Sequence, residues 1–187
     1  MVSESWEDLN PRKDQYGNIE IFDVYYKRIK LKREFSHIPR EVFEQWIWAH
    51  HDKIESITNY GWLNYENIEF KLCCWSNKQL ENIYVIKKFR DYYKNRASYN
   101  DFNSFCCTPK DIEQWKDSGT WRIPPIIIDT DSLKKIPKKC ELVAPYQLVE
   151  GHSRLGYLQS MLTIDKLGKG KVAETHKIYL MREFTCT

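Results

Sequence analysis

The sequence predicts an α+β fold in which a small mixed sheet is combined with several helices. Two patterns indicate strands: apolar and polar residues alternate over 68–74, and a proline pair precedes an apolar run over 124–129. Apolar residues at helical spacing over 80–93, and a proline-led helix start at 108–113, indicate helices. A length of 187 residues with 42% hydrophobic content suits a single domain with a buried core.

Hydrophobic periodicity predicts the elements of the first part of the chain. Residues 19–32 alternate apolar and charged side chains, which predicts one or two strands with a basic outer face. Apolar residues at helical spacing then predict a helix from Pro39 to His51, with Ser36 or His37 as its cap. The histidines that close this helix also suit a metal site, but a capped helix end with one histidine half buried is the favoured interpretation.

The middle of the chain combines a strand with two predicted helices. After the strand, Asn77 is predicted to open one long amphipathic helix that continues through Tyr93 and is basic in its second half. A loop over 98–107 and a helix from Thr108 to Ser118 follow. Basic residues interleaved with tyrosines suit a nucleic-acid backbone, but a solvated helix face is the favoured interpretation.

Beyond residue 120 the pattern predicts three strands and one helix. The strands are expected at 121–129, 142–150 and 177–181, and the helix at 154–162.

The most informative stretch, Glu150-Gly151-His152-Ser153-Arg154, lies where the second of these strands meets the helix. Glycine allows the backbone to turn tightly and to approach a ligand closely. The first N–H groups of the helix and its dipole favour an anion, and the planar guanidinium of Arg154 suits phosphate oxygens. This order of residues predicts a phosphate-binding turn.

The same residues also fit an ordinary strand–turn–helix connection. Gly151 would then be a simple turn residue, Ser153 a helix cap and Arg154 a solvated charge. The helix dipole disfavours a basic residue in the first turn unless an acid or an anion offsets it, and Glu150 is the nearest acid in the sequence. Both interpretations stay open at this point.

The stretch resembles the signature of the ParB/sulfiredoxin-like superfamily, in which a strand ending in an acid leads to a Gly-His-His-Arg type turn and a helix. Gly151, His152 and Arg154 match this signature, and Ser153 stands where many members have a second histidine. The flanking segments that resemble strands of the family are 124–129 and 177–181.

The resemblance covers residues 121–183, with a weaker correspondence at 24–32 and 39–51. Residues 52–120 match no part of the family, so we expect them to be a mostly helical insertion within one ParB/sulfiredoxin-like domain spanning 1–187. Because long insertions often carry function, a protein partner is expected to bind through 52–120.

The resemblance implies nucleotide binding, because members hold the phosphates of ATP, ADP or CTP at this turn. It implies that Gly151, His152, Ser153 and Arg154 contact the phosphates of ATP or another nucleoside triphosphate. Glu150 is implied to bind Mg²⁺ or to act as a base, and His152 to donate a hydrogen bond or a proton. The implied reaction is phosphoryl transfer or hydrolysis of the triphosphate.

Two activities of the family are not expected. Sulfiredoxins place a reactive cysteine where this chain has His152, and partition proteins continue into a helix-turn-helix domain, whereas this sequence ends soon after the closing strand. The alternative function is a non-catalytic module that binds a protein or nucleic acid through 52–120. Nuclease activity ranks last, because the sequence lacks clustered acids.

Composition narrows the class of protein further. A net charge of +3 is too mild to indicate a nucleic-acid-binding protein by itself. No apolar run is long enough for a membrane span, and the acidic N-terminus lacks the pattern of a signal peptide, so a cytoplasmic protein without membrane partners is expected. The six cysteines show no CxxC spacing and are expected to be reduced thiols.

Overall fold

The structure, a computed structural model, describes residues 2–184. Its α-helices are α1 (Glu4–Asp8), α2 (Phe22–Lys30), α3 (Arg40–Val42), α4 (Trp48–His50), α5 (Ile54–Tyr60), α6 (Asn77–Leu80), α7 (Lys87–Ala97), α8 (Pro109–Ser118) and α9 (His152–Lys166). Its strands are β1 (Ile68–Ser76), β2 (Ile126–Asp129), β3 (Tyr146–Glu150) and β4 (Thr175–Glu183). The predicted α+β fold is therefore confirmed.

The four strands form one mixed sheet in the order β1-β4-β2-β3. Contacts at both ends of the first pair show its direction. The N–H of Phe184 donates to the carbonyl of Asn67. At the other end of the pair, Nε2 of His176 lies 2.8 Å from Oδ1 of Asn77. The start of β1 therefore lies beside the end of β4, and the end of β1 beside the start of β4, so these two strands are antiparallel.

The short strand β2 has a neighbour of each direction. The N–H of Tyr179 donates to the carbonyl of Pro125, and the N–H of Glu183 donates to the hydroxyl of Ser132, so β2 and β4 run parallel. Pro125, just before β2, lies against Gly151, just after β3, so these two strands are antiparallel. The motif turn is thus held beside the beginning of β2.

The chain divides into two compact units, each with an aromatic core. Within the described residues, the first comprises 2–71, 129–142 and 181–184, and the second comprises 72–128 and 143–180. The largest fully buried side chains of the first unit are Trp46, Tyr25, Tyr65, Phe35 and Phe43. The core of the second unit includes Trp75, Phe105, Trp115, Trp121, Ile127, Leu148, Tyr157, Leu158, Met161 and Ile178. Many of the Trp and Tyr residues of the sequence are therefore used to fill the two cores.

The prediction of strands over residues 19–32 is wrong, because this segment forms helix α2. Tyr25 and Ile29, four residues apart, point into the core with no exposed area. Ile21, Val24 and Leu31 are instead 68%, 52% and 87% exposed. These exposed apolar residues fill the gaps in the helical period, so the segment imitates the alternation of a strand.

The helix predicted from Pro39 to His51 is present, with a π-helical stretch between α3 and α4. Pro39 occupies the cap position, so the prediction of Ser36 or His37 as the cap is wrong. His51 ends the helix, is 6% exposed and donates a hydrogen bond from Nδ1 to the carbonyl of Trp48 at 3.1 Å. The predicted helix end at His51 is confirmed, with His50 partly buried and His51 buried.

One long helix from Asn77 through Tyr93 was also a wrong prediction. Ser76 and Gln79 form a capping box that starts the four-residue helix α6, after which the chain becomes extended. The N–H of Tyr84 donates to the carbonyl of Tyr146, and the carbonyl of Tyr84 accepts from the N–H of Leu148, both at 2.9 Å. This pairing with β3 interrupts the helix before α7 begins.

The helix predicted over 108–118 is present, whereas the strands predicted at 121–129 and 142–150 begin only at Ile126 and Tyr146. Thr108 caps α8, and Gly119 ends it in a left-handed conformation. The motif helix begins two residues before the predicted start and ends at Lys166. Five cysteines are free thiols, namely Cys73, Cys74, Cys106, Cys107 and Cys140, and Cys186 lies outside the described residues. None of the helices between residues 2 and 184 combines the length and apolar character that crossing a bilayer requires.

Candidate functional site

The motif forms the strand–turn–helix predicted from the sequence. The middle of β3 is buried, and Glu150 at its end is half-buried. Gly151 follows with φ 106° and ψ 27°, and α9 begins at His152. The N–H of Leu155 donates to the carbonyl of Gly151 at 2.9 Å, which closes the first turn of this 15-residue helix. The turn therefore places Glu150 and the start of α9 next to each other.

Gly151 is required at this position for two reasons. Its positive φ belongs to the left-handed region, which costs other L-residues free energy. A Cβ atom here would also lie 2.6 Å from the Cβ of Pro125 and 3.1 Å from Nε and Nη2 of Arg154. The absence of a side chain lets the backbone approach Pro125 and leaves room for the guanidinium.

Arg154 folds back over the turn. Its Nη2 lies 3.6 Å from a carboxylate oxygen of Glu150, and the two side chains are 20% and 23% exposed. Burial lowers the pKa of the Arg154 guanidinium, and the negative charges of Glu150 and Asp111 partly offset this effect. The acid expected from the sequence is therefore beside the arginine, at a distance longer than a strong charge-assisted hydrogen bond.

A second ion pair contributes to the field at Arg154. Nε of Arg122 donates to a carboxylate oxygen of Asp111 at 2.9 Å, and both charges act on Arg154. Partial burial opposes ionisation of Asp111, but hydrogen bonds from Thr108 and Arg122 outweigh it and lower the pKa of this carboxyl. Sequence reasoning missed Arg122 and Asp111, because they lie far from the motif along the chain.

His152 and Ser153 contact helix α7 instead. The imidazole of His152 is 7% exposed and its centre lies 4.3 Å from the ring centre of Phe89. The hydroxyl oxygens of Ser153 and Tyr92 are 2.6 Å apart. The prediction of Ser153 as the helix cap is wrong, because Gly151 occupies that position. The aromatic partners on α7 were also missed, since more than 60 residues separate each pair.

The end of α9 has the features of an anion site in its backbone. No side chain caps this helix, and no acidic residue occupies its first turn. The N–H groups of a first helical turn point out of the helix end and are not used by the helix itself. Together with Arg154, this helix end is suited to negative charge.

The residues of the turn fit Mg²⁺ only in part. Across the described residues, no group of three or more His, Cys, Asp or Glu side chains is placed to hold a metal ion. Mg²⁺ is commonly held by one or two carboxylates together with phosphate oxygens and water. Glu150 would therefore fit as a single protein ligand for an ion that arrives with a nucleotide.

Comparison of the chain with protein-family models, with curated proteins and with solved structures finds no match. The ParB/sulfiredoxin-like resemblance consequently stays a hypothesis that rests on the motif and its flanking strands.

Proposed function

We propose that the chain binds a nucleoside triphosphate through its phosphates at the turn Glu150–Arg154. The observation that carries the proposal is the left-handed Gly151, which brings the guanidinium of Arg154 beside an uncapped helix end. Backbone N–H groups at such an end, with an arginine fork beside them, are suited to phosphate oxygens.

In this proposal the phosphate competes with Glu150 for the guanidinium of Arg154. The 3.6 Å separation between the two side chains is compatible with an exchange of partners. A released Glu150 carboxylate would then hold Mg²⁺ or orient an attacking group, as phosphoryl transfer requires. The imidazole of His152 is packed against Phe89. In this proposal His152 therefore contributes through its backbone N–H, which donates a hydrogen bond to a phosphate oxygen.

The test is thermal unfolding of the full chain with ATP, ADP, CTP and GTP, each with and without Mg²⁺. A ligand at about a hundred times its Kd adds about 2.7 kcal/mol of stability. For a chain of this length that raises Tm by roughly 5 to 10 °C. We expect one nucleotide to give this shift and Arg154→Ala to lose it.

Two variants make the test specific. Arg182→Ala is a matched control, because Arg182 also pairs with a glutamate, Glu69, at 2.6 Å, and it should keep the shift. Glu150→Gln should bind nucleotide at least as tightly as the natural chain, since it removes the competing charge, but should lose its dependence on Mg²⁺. A shift that survives in Arg154→Ala, or no shift with any nucleotide, would refute the proposal.

A further inference from the structure

Helix α7 presents a charged face beside the phosphate turn. The exposed residues of this face are Lys87, Lys88, Asp91, Tyr92, Lys94 and Asn95. Their spacing places them on one side of the helix, which we call the basic α7 face. The other side packs on α9, where Gly156 lets the backbone of α9 approach Tyr93 and Arg96. The exposed side thus carries three lysines and one acid, Asp91.

Two arginines of α7 add positive charge in fixed positions. Arg90 donates from Nε to the carbonyl of Val85 at 3.1 Å, and its guanidinium lies 4.9 Å from the ring centre of Tyr84. The guanidinium of Arg96 lies 4.5 Å from the ring centre of Tyr92. Because these two side chains are already held in place, they lose less conformational freedom when a ligand binds to them.

Tyr92 gives the basic α7 face an aromatic group. Its ring is 43% exposed, while its hydroxyl is held 2.6 Å from Ser153 and Arg96 lies over the ring. An exposed ring held in place among cations is the arrangement that single-stranded nucleic acids use, with bases on aromatic rings and phosphates on basic side chains. Helix α7 contains one acid, Asp91, among five basic residues, so its charge is predominantly positive.

We propose that the basic α7 face binds single-stranded nucleic acid, a ligand different from the nucleotide proposed for the turn. The phosphates contact Lys88 and Lys94, and a base stacks on Tyr92. Stacking on Tyr92 distinguishes this partner from an acidic protein surface, which would use the charges alone.

The experiment measures binding of a fluorescent 20-residue thymidylate strand to the full chain by anisotropy, between 50 and 200 mM salt. Replacing both lysines, as Lys88→Gln with Lys94→Gln, should weaken binding about tenfold and reduce the slope of log K against log salt by about 1.4. The matched control is Lys27→Gln with Lys30→Gln on α2, which changes the net charge equally on another exposed helix. We expect this control to bind like the natural chain.

Tyr92 is tested separately. Tyr92→Phe loses the hydrogen bond to Ser153 but keeps the ring beside Arg96, so it should keep most of the affinity, whereas Tyr92→Ala should weaken binding about tenfold. Circular dichroism of every variant verifies that the fold is retained. Absence of binding at 50 mM salt, equal losses in the two lysine pairs, or equally strong competition by polyglutamate would each overturn the proposal.

Discussion

Single residues determine the shape of the motif turn, and Gly151 is the one whose identity is most restricted. Its backbone lies in the left-handed region, and its missing side chain leaves space for Pro125 and for the guanidinium of Arg154. The glycine was predicted from sequence because only this residue adopts such a turn easily. The closeness of the Asp111–Arg122 ion pair to Arg154 was not predicted, because these two residues lie about 30 to 40 positions earlier in the chain.

We expect Gly151→Ala to lower the free energy of unfolding by about 2–4 kcal/mol, since it adds backbone strain and a clash with Pro125. This corresponds to a fall in Tm of roughly 5 to 15 °C. Gly168→Ala is the control, because Gly168 also has a positive φ but a Cβ there would meet nothing within 4 Å. It should cost only about 1 kcal/mol. Equal losses in the two variants would show that the contact with Pro125 contributes nothing.

At the scale of elements, local signals were sufficient for some helices and insufficient for others. Helix α8 was predicted correctly because its cap, its proline and its terminal glycine all lie within the segment. Residues 81–86 were wrongly predicted as helical because their structure depends on β3, more than 60 residues later. The segment of α2 was wrongly predicted as strand for another reason, since exposed apolar residues concealed the helical spacing of its buried residues.

The packing of α7 on α9 allows a test at this scale. Gly156 lies inside α9, where helix propensity alone would make alanine more stable by about 1 kcal/mol. A Cβ there would lie 2.5 Å from the Cβ of Arg96 and 2.9 Å from the carbonyl oxygen of Tyr93. The backbone oxygen cannot rotate away, so we expect Gly156→Ala to lower stability by about 1–2 kcal/mol in chemical denaturation. An increase in stability would mean that the helices separate easily.

For the whole molecule, the buried His176 links stability to pH. This side chain is 1% exposed, and burial lowers its pKa to about 4. The amide nitrogen of Asn77 donates to the carbonyl of Ala173, so its oxygen accepts from Nε2 of His176, and Nδ1 accepts from the hydroxyl of Thr120. The neutral imidazole is therefore fully hydrogen-bonded in the folded state.

The unfolded chain takes up a proton at His176 near pH 6.5, whereas the folded chain does so only near pH 4. Stability should therefore fall as the pH decreases from about 6.5 to about 4, by roughly 3 kcal/mol in total. Urea unfolding at several pH values measures this loss. His176→Gln should be less stable at pH 7 and should lack this part of the pH dependence, whereas His37→Gln should retain it. An unchanged pH profile in His176→Gln would contradict the assignment.

The two backbone hydrogen bonds between Tyr84 and β3 have a dynamic consequence. Three residues after Tyr84 the chain enters α7, and two residues after Leu148 it enters the motif turn. Release of the segment before α7 therefore breaks the outer hydrogen bonds of the strand that leads to α9. Local opening of the two helices then requires the same bonds to break, so their backbone amides should exchange with solvent hydrogen as one cooperative group.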